Sequence, residues 1–216
     1  MTDGIYAFWK PKGPTSHRFL NNIRRILGKG VKVGHAGTLD PLAEGILVVG
    51  IGKGAKQLQA EVEKEKEYVA EITLGMTSTT DDEEGEKTEH QVSSIPSDLD
   101  ISNSAGSFIG EIDQVPPIFS AIKISGKPAY KTARSGGELD LAPRHVLIKD
   151  IEIVSYSYPK LVLRVETGKG VYIRSLARDI GERLGVGGYL SGLIRTRVGQ
   201  YDKDSVLSLE ELEKIK

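Results

Sequence analysis

The residues best placed for chemistry lie in a glycine-rich stretch of the chain, from Gly34 to Gly45. This stretch carries one carboxylate, Asp40, between Leu39 and Pro41, just before an apolar run that predicts a buried strand. Pro41 favours an extended backbone at Asp40, and the glycines allow another backbone to approach closely. A carboxylate fixed in this way can take part in a reaction. The simpler interpretation is that Asp40 caps a turn and that His35 is an ordinary loop histidine.

Thiol and metal chemistry find no support in the sequence. The 216 residues include no cysteine, which excludes a disulfide, a thiolate nucleophile and a cysteine-based zinc site. The four histidines, His17, His35, His90 and His145, provide no pair at the spacing of metal ligands. We therefore expect no metal site.

A second glycine-rich stretch, from Gly50 to Ala55, matches the dinucleotide-binding pattern G-x-G-x-x-A, with Glu71 as a possible ribose contact. The match is weak because Glu71 falls inside its predicted strand and no alternating strand and helix pattern follows. A Walker-type phosphate loop is excluded, since Gly54 stands where a serine or threonine must bind magnesium. No serine has the spacing of a nucleophile elbow. A nucleotide-binding enzyme therefore remains an alternative, and the glycine pattern from Gly50 to Ala55 is its one support in the sequence.

Composition and charge indicate a globular protein that could bind a polyanion. The chain is 38% hydrophobic and 27% charged, which is typical of one globular domain. Its net charge of −1 conceals an uneven distribution: +6 over 1–58, −12 over 59–113, +7 over 114–201 and −2 over 202–216. If the two basic stretches meet, they form a positive surface for phosphates. Alternatively, they are ordinary solvated charges.

Neither a signal peptide nor a membrane helix is expected. The N-terminus has no basic and apolar leader, and no apolar run approaches the about 20 residues that a membrane helix needs. We therefore expect a cytoplasmic protein.

Apolar periodicity and capping residues predict the elements that must position Asp40. Strands are predicted at 5–9, 45–49, 67–74, 146–154, 161–166 and 170–174, and helices from a Thr15 or Ser16 cap to Gly28, at 55–66, at about 176–184 and after a Ser208–Glu211 capping box. Residues 76–100 are polar and acidic, which predicts a long solvated loop with a weak helix near its end. Many strands with few, irregularly placed helices favour an α+β fold, with a mixed, largely antiparallel central sheet flanked by helices and loops.

A series of motifs then makes the chain recognisable. The sequence resembles the TruB family of bacterial tRNA pseudouridine-55 synthases over nearly its whole length. Six motifs occur in the order of that family: Lys10-Pro11-x-Gly13-x-Thr15-Ser16-His17, Gly34-His35-x-Gly37-Thr38-Leu39-Asp40-Pro41-x-Ala43-x-Gly45, Lys66-x-Tyr68, Asp82-x-x-Gly85, Val115-Pro116-Pro117-x-Phe119-Ser120-Ala121-x-Lys123 and Gly170-x-Tyr172-Ile173-Arg174-Ser175-Leu176. Chance could produce one such match but not the ordered series.

The resemblance implies an enzyme that isomerises uridine to pseudouridine without any cofactor. Asp40 would assist cleavage of the glycosidic bond, either by attacking C1′ or by removing a C2′ proton. Tyr68 would stack on the flipped base and take the C5 proton. Arg174 is the expected ion partner of Asp40, and Tyr172 and Arg174 are expected to share one face of an extended segment that lines the pocket.

The resemblance also implies the substrate, the T-arm of tRNA with uridine 55 of the T-loop as the target. His35 would occupy the space that the flipped base leaves, and Leu193 would line the pocket. The candidates for phosphate contact are Lys10, Lys12, Arg18, Arg24, Arg25, Lys123, Lys127, Lys131 and Arg134. We expect a monomer with no obligate protein partner.

The expected organisation is one catalytic domain over 1–216, with an RNA-clamping insertion at about 114–140 and no C-terminal RNA-binding module. Two further alternatives stay open. The first is a non-catalytic RNA-binding or tRNA-folding protein on the same fold, which the presence of Asp40, Tyr68 and Arg174 disfavours. The second is a guide-RNA-directed synthase, which the absence of the C-terminal module disfavours.

Overall fold

The computed structural model describes residues 3–120, 123–124, 127–128 and 141–214. Its strands are β1 (Gly4–Lys10), β2 (Val33–His35), β3 (Ala43–Ile51), β4 (Lys66–Leu74), β5 (Met76–Ser78), β6 (Lys87–Glu89), β7 (Gly110–Gln114), β8 (Lys123–Ile124), β9 (Lys127–Pro128), β10 (Arg144–Ser157), β11 (Lys160–Thr167) and β12 (Gly188–Val198). Its α-helices are α1 (Ser16–Leu27), α2 (Leu58–Val62), α3 (Asp98–Gly106), α4 (Ile173–Arg183) and α5 (Leu209–Lys214). None of these helices combines the length and apolar character needed to cross a membrane.

The main sheet has the strand order β1-β3-β12-β4-β11-β10-β7, with β2 also paired to β3. Strand β3 is antiparallel to β1 and β2 but parallel to β12, and β7 is antiparallel to β10. The sheet is therefore mixed, with helices around it. This arrangement confirms the predicted α+β class.

The chain divides into two compact units. Unit 1 comprises Met1–Val69, Glu166–Lys169 and Leu193–Lys216, and unit 2 comprises Ala70–Val165 and Gly170–Gly192. The predicted single catalytic domain with a clamping insertion stays a prediction, because residues 129–140 lie outside the described part of the chain.

Unit 1 is built around helix α1 and the strands it covers. The apolar residues of α1 recur at helical spacing, and Phe19, Leu20 and Ile23 are buried together with Phe8 of β1 and Leu47 of β3. The hydroxyl of Thr15 caps the helix by accepting from the Arg18 amide at 3.1 Å, and Gly28 ends it with φ of +89°. Both ends of the predicted helix are confirmed.

The glycines from Gly50 to Gly54 in unit 1 serve protein packing. A Cβ on Gly54 would lie 2.0 Å from the carbonyl oxygen of Gly4, and one on Gly50 would lie 2.6 Å from that of Gly54. The chain here forms a 3₁₀ helix, Gly52–Lys56, followed by the short α2, where one helix over 55–66 was expected. Close approach of backbone accounts for the glycines, which removes the one support for a dinucleotide site.

Unit 2 departs from the sequence prediction in its acidic loop. Residues 76–100 contain a hairpin of β5 and β6, so the expectation of a long solvated loop is wrong there. Ser78 and Asp82 are buried in this region, and polar contacts fix the chain where apolar periodicity is missing. The predicted weak helix is present as α3, with a capping box between Ser97 and Asp100.

Helix α4 replaces the strand that was predicted at 170–174. Ile173, Leu176, Ala177 and Ile180 are all buried on one face, so the apolar helical period extends one turn further toward the N-terminus than expected. Tyr172 is the N-cap residue of this helix, and its side chain makes no capping hydrogen bond. The predicted shared face of Tyr172 and Arg174 on an extended segment is therefore wrong, because Arg174 lies in the first turn of a helix.

Candidate active site

In unit 1, Asp40 lies in the loop between β2 and β3, and its side chain is half-buried. The backbone on both sides of it is tied to other parts of the unit. The hydroxyl of Ser16 donates to the Leu39 carbonyl and accepts from the Leu39 amide, each at 2.8 Å. The Pro41 carbonyl accepts from the Gly13 amide at 2.8 Å. The carboxylate therefore projects from a loop whose position is set before any substrate binds.

Lys10, the last residue of β1, is fully buried close to this loop. Its ammonium group donates to the carbonyls of Ala43 at 2.8 Å and Pro11 at 2.9 Å. Burial lowers the pKa of Lys10, and the negative charge of Asp40 opposes that shift. This geometry favours a role for Lys10 in fixing the position of the Asp40 loop and in stabilising the Asp40 carboxylate, rather than in contacting an RNA phosphate.

Arg195 of β12 is a second buried cation beside the loop, and the sequence reasoning missed it. Its side chain is 1% exposed and donates through Nε to Ile46 at 2.8 Å, through Nη2 to Gly37 at 3.2 Å and through Nη1 to Thr38 at 3.5 Å. All three acceptors are backbone carbonyls of β3 or of the loop before it. The available signal was an arginine inside the strand-like run that starts at Leu193.

Gly45 explains why β12 can lie so close to β3. Its φ is +114°, and a Cβ there would come within 2.2 Å of the Arg195 carbonyl oxygen. The two residues are direct partners in the parallel pairing of these strands. Glycine at this position therefore lets Arg195 enter beneath the Asp40 loop.

Several other predicted residues also belong to unit 1. Tyr68 is 8% exposed and lies on the buried face of β4, between Lys66 and Ala70. His35 is half-buried at the end of β2, where burial and the charge of Arg195 lower its pKa and so favour the neutral imidazole. Leu193 packs against the core cluster of the unit.

The other predicted phosphate contacts fall into three groups. Lys12, Arg18 and Arg25 are exposed on α1 or the loop before it, whereas Arg24 is half-buried and donates to the Val33 carbonyl at 2.9 Å. Lys131 and Arg134 lie outside the described residues, as do the side chains of Lys123 and Lys127. Their proposed contacts stay predictions.

In unit 2, Arg174 is 6% exposed and pairs with the buried Asp82. Its Nη1 atom lies 3.4 Å from Asp82 Oδ2 and donates to the Thr80 carbonyl at 3.3 Å, and its Nη2 atom donates to the Phe119 carbonyl at 3.0 Å. Asp82 was part of a recognised motif, but the sequence reasoning gave it no role.

The carboxylate of Asp82 is itself oriented by its own loop. Its Oδ1 atom accepts from the hydroxyl of Thr80 and, at 3.0 Å, from the amide of Glu84. A Cβ on Gly85 would lie 2.5 Å from the Thr80 hydroxyl, so glycine is needed for this tight turn. The remaining oxygen faces Arg174, which gives that guanidinium a fixed direction.

Tyr172 stands directly before α4 and is held through its backbone. The side chain of Gln114 accepts from the Tyr172 amide at 2.8 Å and donates to the Tyr172 carbonyl at 3.1 Å.

The predicted site residues are divided between the two units: Asp40, Lys10 and Tyr68 belong to unit 1, and Arg174 and Tyr172 belong to unit 2. The pairing of Asp40 with Arg174 stays a prediction. The described residues hold no cluster of His, Cys, Asp and Glu that could bind a metal ion.

Comparison with protein families identifies two matching models along the chain. The model of the N-terminal domain of TruB family pseudouridylate synthases matches residues 24–173, and that of the tRNA pseudouridylate synthase B C-terminal domain matches residues 174–216. The tRNA pseudouridine synthase B of Mycobacterium sp. (strain KMS) is 45% identical over 213 residues, covering 97% of this chain and 71% of the relative. That of Thermobifida fusca (strain YX) is 41% identical over 220 residues, covering 98% and 75%.

Two solved structures share the fold. A chain of a Cbf5-Nop10-Gar1 complex superposes with a TM-score of 0.75 and 32% identity, covering 98% of this chain and 54% of that chain. A chain of an H/ACA RNP bound to a substrate RNA containing 2'-deoxyuridine superposes with a TM-score of 0.71 and 31% identity, covering 98% of this chain and 52% of that chain. The present chain therefore spans about half the length of these two solved chains.

Proposed function

The chain belongs to the TruB family of pseudouridylate synthases, and we propose on this premise that it isomerises uridine to pseudouridine in tRNA, at uridine 55 of the T-loop. The observation that carries the proposal is the half-buried Asp40 carboxylate, on a loop tied down by Ser16 and Gly13 beside the buried Lys10. We further propose a cytoplasmic monomer that needs no protein partner.

The reaction moves one bond and leaves the composition of the RNA unchanged. The bond between N1 and C1′ breaks, the detached base turns, and a bond forms between C5 and C1′. The proton on C5 is then lost and N1 gains one, so the reaction consumes neither an oxidant nor a reductant. Asp40 supports the cleavage, either by forming a bond to C1′ or by removing the proton on C2′.

The charges around Asp40 suit this role. A carboxylate acts as a nucleophile or base only when it is ionised, and the positive charge of buried Lys10 favours that form. Lys10 is also held at the end of β1 by the carbonyls of Pro11 and Ala43, so its position beside the Asp40 loop is fixed. Arg174 is the proposed second cation for Asp40, and Asp82 fixes the direction of its guanidinium.

Tyr68 and His35 are assigned to the base itself. Tyr68 presents an aromatic ring on the buried face of β4, where it can stack on a flipped uracil and take the C5 proton through its hydroxyl. His35 carries a pKa lowered by burial, so the neutral imidazole can stack in the space that the uracil leaves. Exposed Lys12, Arg18 and Arg25 supply phosphate contacts outside the pocket.

A tRNA T-arm stem-loop, tritiated at C5 of uridine 55, tests the proposal directly. Purified protein in EDTA, with no nucleotide or guide RNA added, should release the label into water. The mass of the RNA should stay constant and no uracil should appear. A matched stem-loop, in which position 55 is cytidine and the other uridines are tritiated, should keep its label. Retained label on the first RNA, free uracil or a strict metal requirement would each reject the proposal.

A further inference from the structure

A second aspartate–arginine pair lies next to the first one in unit 2. Asp81 precedes Asp82 in the chain, and Arg178 follows Arg174 by one helical turn of α4. The Nη1 atom of Arg178 donates to Asp81 Oδ2 at 2.8 Å, and the two side chains are 19% and 15% exposed. Two consecutive carboxylates of one loop therefore meet two arginines that share one face of one helix.

Both arginines also reach a second segment of the unit, residues 115–119. Arg174 donates to the Phe119 carbonyl at 3.0 Å, and Arg178 donates to the Val115 carbonyl at 3.0 Å. The hydroxyl of Ser175 donates to the same Val115 carbonyl at 2.8 Å. Each aspartate–arginine pair thus joins the Asp81–Asp82 loop to the segment with which the proposed RNA clamp begins.

The backbone at Asp81 is unusual, because its φ is +59° in a residue that is not glycine. Left-handed backbone is strained in residues other than glycine and persists where the surroundings hold it. Here the Asp81 carbonyl accepts from the Leu190 amide at 3.1 Å, while its carboxylate binds Arg178. The turn at Asp81 fixes the direction in which the next residue, Asp82, presents its carboxylate to Arg174.

We propose that Asp81 and Arg178 form an outer pair that positions Asp82, Arg174 and the 115–119 segment for the pseudouridine reaction. This inference rests on the proposed function, because Arg174 is assigned there as the ion partner of Asp40. Asp81 and Arg178 are positioning residues. They act through the loop and through α4 and need no contact with the uridine.

Single-turnover kinetics on the tritiated stem-loop, with saturating enzyme, test the outer pair. Asp81→Asn keeps a residue that tolerates left-handed backbone. Arg178→Lys keeps the charge but loses the planar fork, which binds Asp81, the Val115 carbonyl and the adjacent Asp179. Each variant should lower the saturating rate constant by about tenfold while changing the Kd for RNA by less than about threefold. The double variant should be slower than the slower single variant by less than about twofold, since the pair acts as a unit.

An exposed ion pair of the same unit supplies the control. Arg164 of β11 pairs with Glu152 of β10, and their side chains are 46% and 54% exposed, respectively. Because such an exposed pair contributes little, Arg164→Gln should leave the rate constant unchanged. Thermal unfolding of every variant gives the folded fraction by which the rates are corrected. The positioning role of the outer pair would be overturned if the corrected rates of the variants stay within about twofold of wild type. It would also be overturned if the effects of the two single variants multiply in the double variant. Either result leaves the proposed function intact. No label release from wild-type protein would instead overturn the proposed function itself.

Discussion

Arg174 and Asp82 form a buried ion pair in which Nη1 lies 3.4 Å from Oδ2 and both side chains are less than a tenth exposed. The other carboxylate oxygen of Asp82 is occupied by Thr80 and Glu84. Removal of either side chain takes a buried charge partner away from the other one. The pair therefore contributes to the stability of unit 2, and it fixes the direction of the guanidinium that the proposed mechanism uses.

Arg174→Ala should be severely impaired in turnover and less stable than wild type. Loss of one partner of a buried pair leaves an uncompensated charge, which costs about 3–5 kcal/mol. Urea denaturation and single-turnover tritium release measure the two effects. A variant that keeps near wild-type release when folded would show that Arg174 is not the ion partner of Asp40.

Asp40→Asn should abolish tritium release while changing RNA affinity by less than about tenfold. The amide is almost the same size as the carboxylate, so the loop tied to Ser16 and Gly13 should keep its place. The variant loses the group that is proposed to support glycosidic cleavage but keeps the ground-state contacts. A residual rate above about 1% of wild type would contradict the catalytic assignment.

Tyr68→Phe and Tyr68→Ala should separate the two roles of the tyrosine. The phenylalanine variant keeps the ring on the buried face of β4 and should bind RNA normally, but it should stall before loss of the C5 hydrogen. The alanine variant should also bind more weakly, by the about 1–3 kcal/mol of a lost stacking contact. RNA filter binding and tritium release distinguish the variants. Equal release rates for Tyr68→Phe and wild type would reject the proton-transfer role.

Arg195→Lys should slow the reaction by about tenfold, because one ammonium group cannot satisfy the three carbonyls that the guanidinium spans. Those carbonyls belong to Ile46, Gly37 and Thr38, and the last two lead directly into Asp40. Arg197→Lys is the matched control, since Arg197 lies two residues further along β12 in a half-exposed pair with Glu166 at 3.0 Å. Similar single-turnover rates for the two variants would show that Arg195 does not position the Asp40 loop.

Lys66 should make folding stability depend on pH. Burial, with Arg195 adding to it, lowers the pKa of Lys66 to about 8. Unfolded lysine titrates near about 10.4, so between these two values the unfolded chain binds a proton that the folded chain does not. The free energy of unfolding of wild type, measured relative to Lys66→Met, should therefore rise as pH increases through this window.

Urea denaturation at about pH 7.5 and about pH 9.5 measures this difference for wild type and Lys66→Met. Lys64→Met is the matched control, because Lys64 is exposed two residues away. A difference between wild type and Lys66→Met that stays constant over this interval would show that the ammonium of Lys66 is not destabilised by burial.

Elements whose signals are local could be predicted from the order of residues. Helix α1 begins after Thr15 and ends at Gly28 as predicted, β4 alternates buried and less buried residues from Lys66 to Leu74, and α5 has the capping box of Ser208 and Glu211. Caps and apolar periods involve residues at most one helical turn apart, so the order of residues encodes them directly. The ordered motifs likewise identified the family and the Asp40 loop.

Tertiary structure alone decided which buried charges meet. Arg195 bonds to Gly37, which lies 158 residues away in the chain, and Arg174 bonds to Asp82, which lies 92 residues away. No period or spacing marks such partners, because they are brought together by strand order and helix placement. The burial of Lys10 has the same origin, because its ammonium group bonds to Ala43, which lies 33 residues away in the chain.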